Sequence, residues 1–283
     1  MKTFDLLRRW RRRRLARRLR DSRLPLSLWL RVRQASLLHY HLGFAERLRL
    51  RQLAGLFLQR KRIVGAGGMT LDDYRRCVIA AQACLPILEL DLDDYNGWSE
   101  VIVYPDAFIV QHDEPDANGL IHEHQRVLSG EAWSRGPLIL SWRDARPGTR
   151  HRRQGNNVII HECAHKLDMQ NGAANGMPPL HRGMDRREWT RVFSASYRRL
   201  LRQIERHRRP PIDPYAAESP AEFFAVVSEE FFEVPARLHQ AEPRVYRQLR
   251  LYYRQDPFGR VLRSRRWQRA DEPVERPLPR RWL

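Results

Sequence analysis

Val158-Ile-Ile-His-Glu-Cys-Ala-His-Lys-Leu-Asp168 is the stretch on which the fold of this chain turns. Asn156 or Asn157 offers an N-cap after Gly155, and Asn171-Gly172 offers a C-terminal stop, so one helix is expected over the motif. In a helix, His161 and His165 stand one turn apart and point the same way. Two imidazoles so placed can share one Zn²⁺ at about 2.0–2.1 Å per bond. Glu162 follows the first histidine, where a carboxylate can reach a water on the metal. The apolar residues Val158, Ile159, Ile160, Ala164 and Leu167 bury the helix, and histidines in a buried helix need partners. A chance match to His-Glu-x-x-His (HExxH) in such a chain is a matter of roughly a few per cent. The metal reading therefore outweighs two ordinary helix histidines beside a surface glutamate.

A catalytic zinc takes a third protein ligand and keeps one position open. Neither His nor Asp stands at the short spacing after a glycine turn, so the ligand is sought on a second helix. Glu218-Ser-Pro-Ala-Glu-Phe-Phe-Ala-Val-Val-Ser-Glu-Glu-Phe-Phe232 supplies one, with Ser219 at N-cap and Pro220 at N1. Glu222 lies in its first turn. Ser219-x-x-Glu222 is also a capping box, in which the glutamate would bond back to the Ser219 amide. Glu229, seven residues on and near the same face, is the rival, and spacing alone leaves both open. Asp168, at the end of the first helix, suits a hydrogen bond to a ligand histidine or to the second helix.

The remainder reads as one folded body. The 283 residues are 42% hydrophobic, enough for one sizeable core, and contain neither a repeat nor an apolar run long enough to span a membrane. Helical patterning covers residues 4–20 and 35–60, and another helix is expected from Thr70 and Asp72-Asp73 to before Pro86. The Gly65-Ala-Gly-Gly68 cluster is a turn, because no Lys-Ser/Thr follows it. Strands are expected at 101–104, 108–110 and 138–142. His122-Glu-His124 puts two imidazoles on one side of a strand, a surface or edge feature with no third ligand nearby. After residue 150 the pattern is helical again to about 260. The fold class is α+β, mainly helical, with an HExxH helix and a small sheet.

The net charge of +19 concentrates at the ends. Residues 1–23, a basic N-terminal helix or arm, hold eleven basic and two acidic side chains; residues 263–283, a basic tail that reads as poorly ordered, hold seven and three. Residues 24–262 form the single expected domain. Basic ends suit nucleic acid, an anionic membrane or an acidic protein, or serve solubility alone. The stretch Leu24–Leu30 is too short and interrupted for a signal peptide, and three cysteines without metal-binding spacing fit a reducing compartment, so the cytoplasm is expected.

Several segments together resemble the Mlc titration factor A family of bacterial zinc peptidases over roughly residues 45–260. They include Gly65-Ala-Gly-Gly-Met-Thr-Leu71, Trp133-Ser-Arg-Gly-Pro-Leu-Ile-Leu-Ser-Trp142, His161-Glu-Cys-Ala-His-Lys-Leu-Asp-Met-Gln-Asn-Gly172, Asp213-Pro-Tyr-Ala-Ala217 and Ser219-Pro-Ala-Glu-Phe-Phe224. The resemblance implies one zinc ion on His161, His165 and Glu222, which chooses Glu222 over Glu229. It implies Glu162 as the catalytic glutamate and Tyr215 as a group that stabilises the oxyanion. It further implies a fold like the catalytic domain of anthrax lethal factor and aminopeptidase activity on peptide substrates. A transcriptional repressor, Mlc, is the partner it suggests. The arginine-rich ends depart from the family pattern.

Overall fold

The computed structural model describes residues 24–35, 41–106, 108–115, 121–128, 130–132, 136–147 and 155–270. The helix expected over 4–20 lies outside them, as do residues 271–283. In chain order the elements are α1 (Leu26–Ala35), α2 (Phe44–Arg60), β1 (Arg62–Gly65), α3 (Asp73–Ala83), β2 (Glu100–Tyr104), β3 (Phe108–Pro115), β4 (Ile121–Leu128), β5 (Gly130–Ala132) and β6 (Leu138–Ser141). There follow α4 (Val158–Asp168), α5 (Arg186–Glu205), α6 (Pro220–Glu233), α7 (Pro235–Ala241), α8 (Pro243–Tyr253) and α9 (Pro257–Ala270). The architecture is α+β and mainly helical.

The sheet has the order β1-β2-β6-β5, with β1, β2 and β6 parallel and β5 antiparallel to β6. Val101 and Val103 of β2 are buried and their neighbours less so, the alternation of a half-buried strand. β3 and β4 pair separately as an antiparallel hairpin, whose backbone register pairs residue 112 with 124 and residue 114 with 122. β3 extends to Pro115, beyond the expected 108–110. Trp142 is not a strand residue: Ser141 caps a single helical turn over Trp142–Ala145, which ends the strand one residue early.

Local chemistry explains the helix ends. Asp72, rather than Thr70, is the N-cap of α3 and accepts from the Arg75 amide at 2.8 Å. α2 begins only at Phe44, later than the periodicity from residue 35 suggested. α9 runs through Arg263, so the expected start of the tail falls inside a helix. The three cysteines are buried free thiols, acting as small apolar residues.

α4 is central and almost wholly buried, packed against α6 and α3 and against the sheet. Of the three lysines in the chain, Lys61 and Lys166 are buried around Trp98, their ammonium nitrogens 3.9 and 5.3 Å from its ring centroid. Lys61 donates to the carbonyls of Tyr95 and Trp98, and Lys166 to that of Gly136. Burial pulls both ammonium pKa values down to about 8. The Lys166 contact ties the buried face of α4 to the segment that enters β6.

Candidate metal centre

Asn157 sets the start of α4. Its side chain accepts from the Ile160 amide at 3.2 Å and donates to Gln82 and Glu233. The helix closes through a 3-10 turn, Met169–Asn171, at Gly172, whose φ of 133° suits glycine. Between these ends His161, Glu162 and His165 are all buried. A long connection and α5 then bring the chain back to α6, whose Ser219 cap accepts from the Glu222 amide at 3.1 Å. Only this half of the capping box forms. The Glu222 carboxylate turns to the histidines instead.

Two imidazole nitrogens and the two oxygens of one carboxylate converge. His161 Nε2 lies 3.0 Å from Glu222 Oε2, His165 Nε2 lies 3.2 Å from Glu222 Oε1, and the two Nε2 atoms are 3.1 Å apart. Ligands on a tetrahedral ion at 2.0–2.1 Å stand about 3.4 Å from one another, and these separations are close to that value. Glu222 Oε2 is buried without a hydrogen-bond partner despite its approach to His161, as expected when lone pairs aim at a common point. Two imidazoles and a carboxylate are a donor set that zinc accepts. Among the described residues this is the only group of His, Cys, Asp and Glu side chains placed to share a metal.

Glu229 does not join it. It sits behind His161, its Oε1 2.7 Å from His161 Nδ1 and its Oε2 accepting from the Asn157 backbone amide. A carboxylate so placed fixes the ring and keeps the proton on Nδ1, leaving the Nε2 lone pair for a metal. Burial works against a charged imidazole at His161, but Glu229 and Glu222 outweigh it and raise its pKa well above the usual histidine value. The proton and a metal ion therefore compete for this ring. Glu222, by the same contacts and against its burial, is held far below the usual carboxylate range.

Glu162 is 3% exposed, with Oε2 unbonded, and burial pushes its pKa up to about 7 although the two histidines oppose the shift. Tyr215, in the 3-10 turn Pro214–Ala217, is 41% exposed, and its ring lies 5.9 Å from that of His161. Asp168 makes neither bond expected of it: its Oδ2 accepts from the Asn175 and Gly176 amides at 2.8 and 2.7 Å. It reaches the second helix only through that loop. Gly176 has φ of 77°, and a Cβ there would meet the Pro220 carbonyl oxygen at 2.4 Å, so the loop is pressed against the first residue of α6. Asp168 thus braces Glu222's helix end.

The chain is matched over residues 7–254 by the family model described as glucose-regulated metallo-peptidase M90. It belongs to the M90 metallo-peptidase family. Its similarity to Mlc titration factor A of Escherichia coli is 40% identity over 224 residues, 77% of this chain and 83% of that one. Mlc titration factor A of Yersinia enterocolitica is 37% identical over 237 residues, covering 83% and 86%. An uncharacterized protein of Synechocystis sp. is 42% identical over 214 residues, covering 75% and 78%. As a member of the M90 family, the chain is of a metallopeptidase kind, and the group His161, His165 and Glu222 can bind a metal ion. No helix among the described residues is long and apolar enough to cross a membrane.

One neighbour of this centre has a separate consequence. Glu230, beside Glu229, is buried with Arg237 at 3.0 Å, and burial pushes its pKa up to about 7 against the pull of the guanidinium. Between about pH 4.5 and 7 the folded chain holds a proton there that the unfolded chain has released, so stability falls as pH rises through that window. Glu230→Gln has no charge to bury. Its melting temperature relative to the parent is expected to rise from pH 5 to pH 8, by the equivalent of at most about 3 kcal/mol. A pH-independent difference would remove this account.

Proposed function

We propose that the chain is a zinc-dependent metallopeptidase of aminopeptidase type, with Glu162 as general base, and that it also binds a transcriptional repressor of the Mlc type. The observation that carries the peptidase reading is the convergence of His161 Nε2, His165 Nε2 and the Glu222 carboxylate, in which each imidazole nitrogen lies 3.0–3.2 Å from one of the two carboxylate oxygens, beside a buried Glu162. The mainly helical body with its small sheet suits the expected likeness to the lethal factor catalytic domain.

In this reading His161, His165 and Glu222 hold Zn²⁺. The ion, when bound, lowers the pKa of a water and polarises the scissile carbonyl. Glu162 takes the proton of the attacking water on a carboxylate oxygen and hands it to the leaving amine. A carboxyl group raised by burial is matched to that exchange near neutral pH. Glu229 keeps the His161 proton on Nδ1, and the Tyr215 hydroxyl donates to the oxygen on which negative charge develops. The test is elemental analysis of the purified protein with a peptide-library digest, repeated on Glu162→Gln. Cleavage near free N-termini that needs both zinc and Glu162 supports the proposal; a zinc-loaded protein that cuts nothing in the library overturns it.

The repressor reading draws on the relatives named Mlc titration factor A. It is separable from hydrolysis, because a repressor retained by Glu162→Gln is held by binding alone.

A further inference from the structure

Two cavities adjoin at Asn175 and Met177, in the loop held by Asp168. One, of about 300 Å³, is walled by Met177, Trp189, Phe193, Pro220 and Phe223; the other, of about 580 Å³, by Pro178, Leu180, Met184 and further residues of the α4–α5 connection. They share Asn175 and Met177, so they form one groove with a thioether at its waist. The groove shares α6 with the metal centre, through Pro220 and Phe223, but none of the metal-facing residues lines it.

Its charge is one-sided. Arg198 lines the first cavity and Arg182 and Arg186 the second, all three exposed, and no Asp or Glu lines either. Nearby carboxylates are engaged: Glu188 pairs with Arg191 and Arg247, and Asp185 caps α5 through the Arg187 amide. None of the three arginines has an ion-pair partner among the described residues. Trp189, Phe193 and Phe223 are at most 6% exposed, so they offer a cavity wall and no free ring face on which a nucleic-acid base could stack. The chain's own residues 1–23, with eleven basic and two acidic side chains, carry the wrong sign to occupy it.

We propose that this groove binds an acidic polypeptide segment that inserts one bulky apolar side chain. The apolar side chain fills the cavity between α5 and the start of α6, where Met177 adapts to its shape. Flanking carboxylates pair with Arg182, Arg186 and Arg198, giving steering and register. The proposal goes beyond the peptidase reading and does not depend on it.

The experiment uses the full chain carrying Glu162→Gln, with metal and after chelation, and a fluorescein-labelled hexapeptide Asp-Glu-Phe-Leu-Glu-Asp read by anisotropy. Saturable binding in both forms is expected, weakening with salt. Replacing Phe-Leu by Gly-Ser, or the four acids by lysine, is expected to weaken it at least about tenfold, and so is the double variant Arg182→Glu/Arg186→Glu, with melting temperature unchanged. Failure of the peptide to bind overturns the proposal. So does equal binding of the Gly-Ser peptide or of the double variant, since the charge would then be met elsewhere. A single-stranded oligonucleotide that displaces the peptide and loses affinity equally in the double variant also overturns it, in favour of a phosphate-binding surface.

Discussion

Replacing Glu162 by glutamine is expected to leave metal content and melting temperature near those of the parent while lowering kcat for peptide hydrolysis by about 10²–10⁴-fold. The side chain is buried on α4 between two metal-facing histidines, so a change of volume would disturb the helix; glutamine matches the volume. What it lacks is the ability to take up a proton. Glutamine also carries no charge, and a buried carboxylate whose pKa is pushed up to about 7 contributes little to stability that an amide would lose. The loss should therefore fall on kcat and not on folding. Turnover at saturating substrate, measured beside elemental analysis on the same preparation, checks this. Turnover equal to the parent's at equal zinc content would refute the role given to Glu162.

The helix that carries His161, Glu162 and His165 was legible because everything that specifies it is local. The Asn157 cap, the apolar residues around the motif and the stop at Gly172 lie within 16 positions, and the four-residue spacing alone puts both rings on one face. Glu222 was not legible in that way. Whether it caps its own helix or faces the histidines depends on how α6 docks on α4, a contact across some 60 residues of chain. Half the box forms and the other half yields to the histidines, an outcome that no reading of Ser219-x-x-Glu222 contains. Glu229 shows the same limit. Seven residues of helix rise about 10 Å, which carries it past the Nε2 side and onto Nδ1 of His161. Face was readable; depth along the face was not. The partners of Asp168 were hidden for a different reason, since they are two backbone amides of a loop whose path nothing in the sequence announces.

That difference in depth yields the second large effect. Glu222→Ala removes one of the three converging donors and leaves two imidazoles. Its zinc affinity, by chelator competition, is expected to fall by more than about 100-fold, enough to lose the ion on desalting. Glu229→Gln keeps all three donors. A glutamine oxygen can still accept from one neighbour, but both the Asn157 amide and His161 Nδ1 call on the Glu229 carboxylate, one on each oxygen. The amide NH₂ would face one of the two as a donor. If it faces the ring, the proton moves to Nε2 and the metal-facing lone pair is lost; if it faces Asn157, the cap of α4 is loosened. Either way affinity is expected to fall by about 10–100-fold while stoichiometric zinc is still bound at saturation, the range for a group that orients a ligand. The two variants thus separate by whether metal returns when the free ion is raised. Zinc retained by Glu222→Ala and lost by Glu229→Gln would reverse the assignment and place the ion on the Nδ1 side of His161.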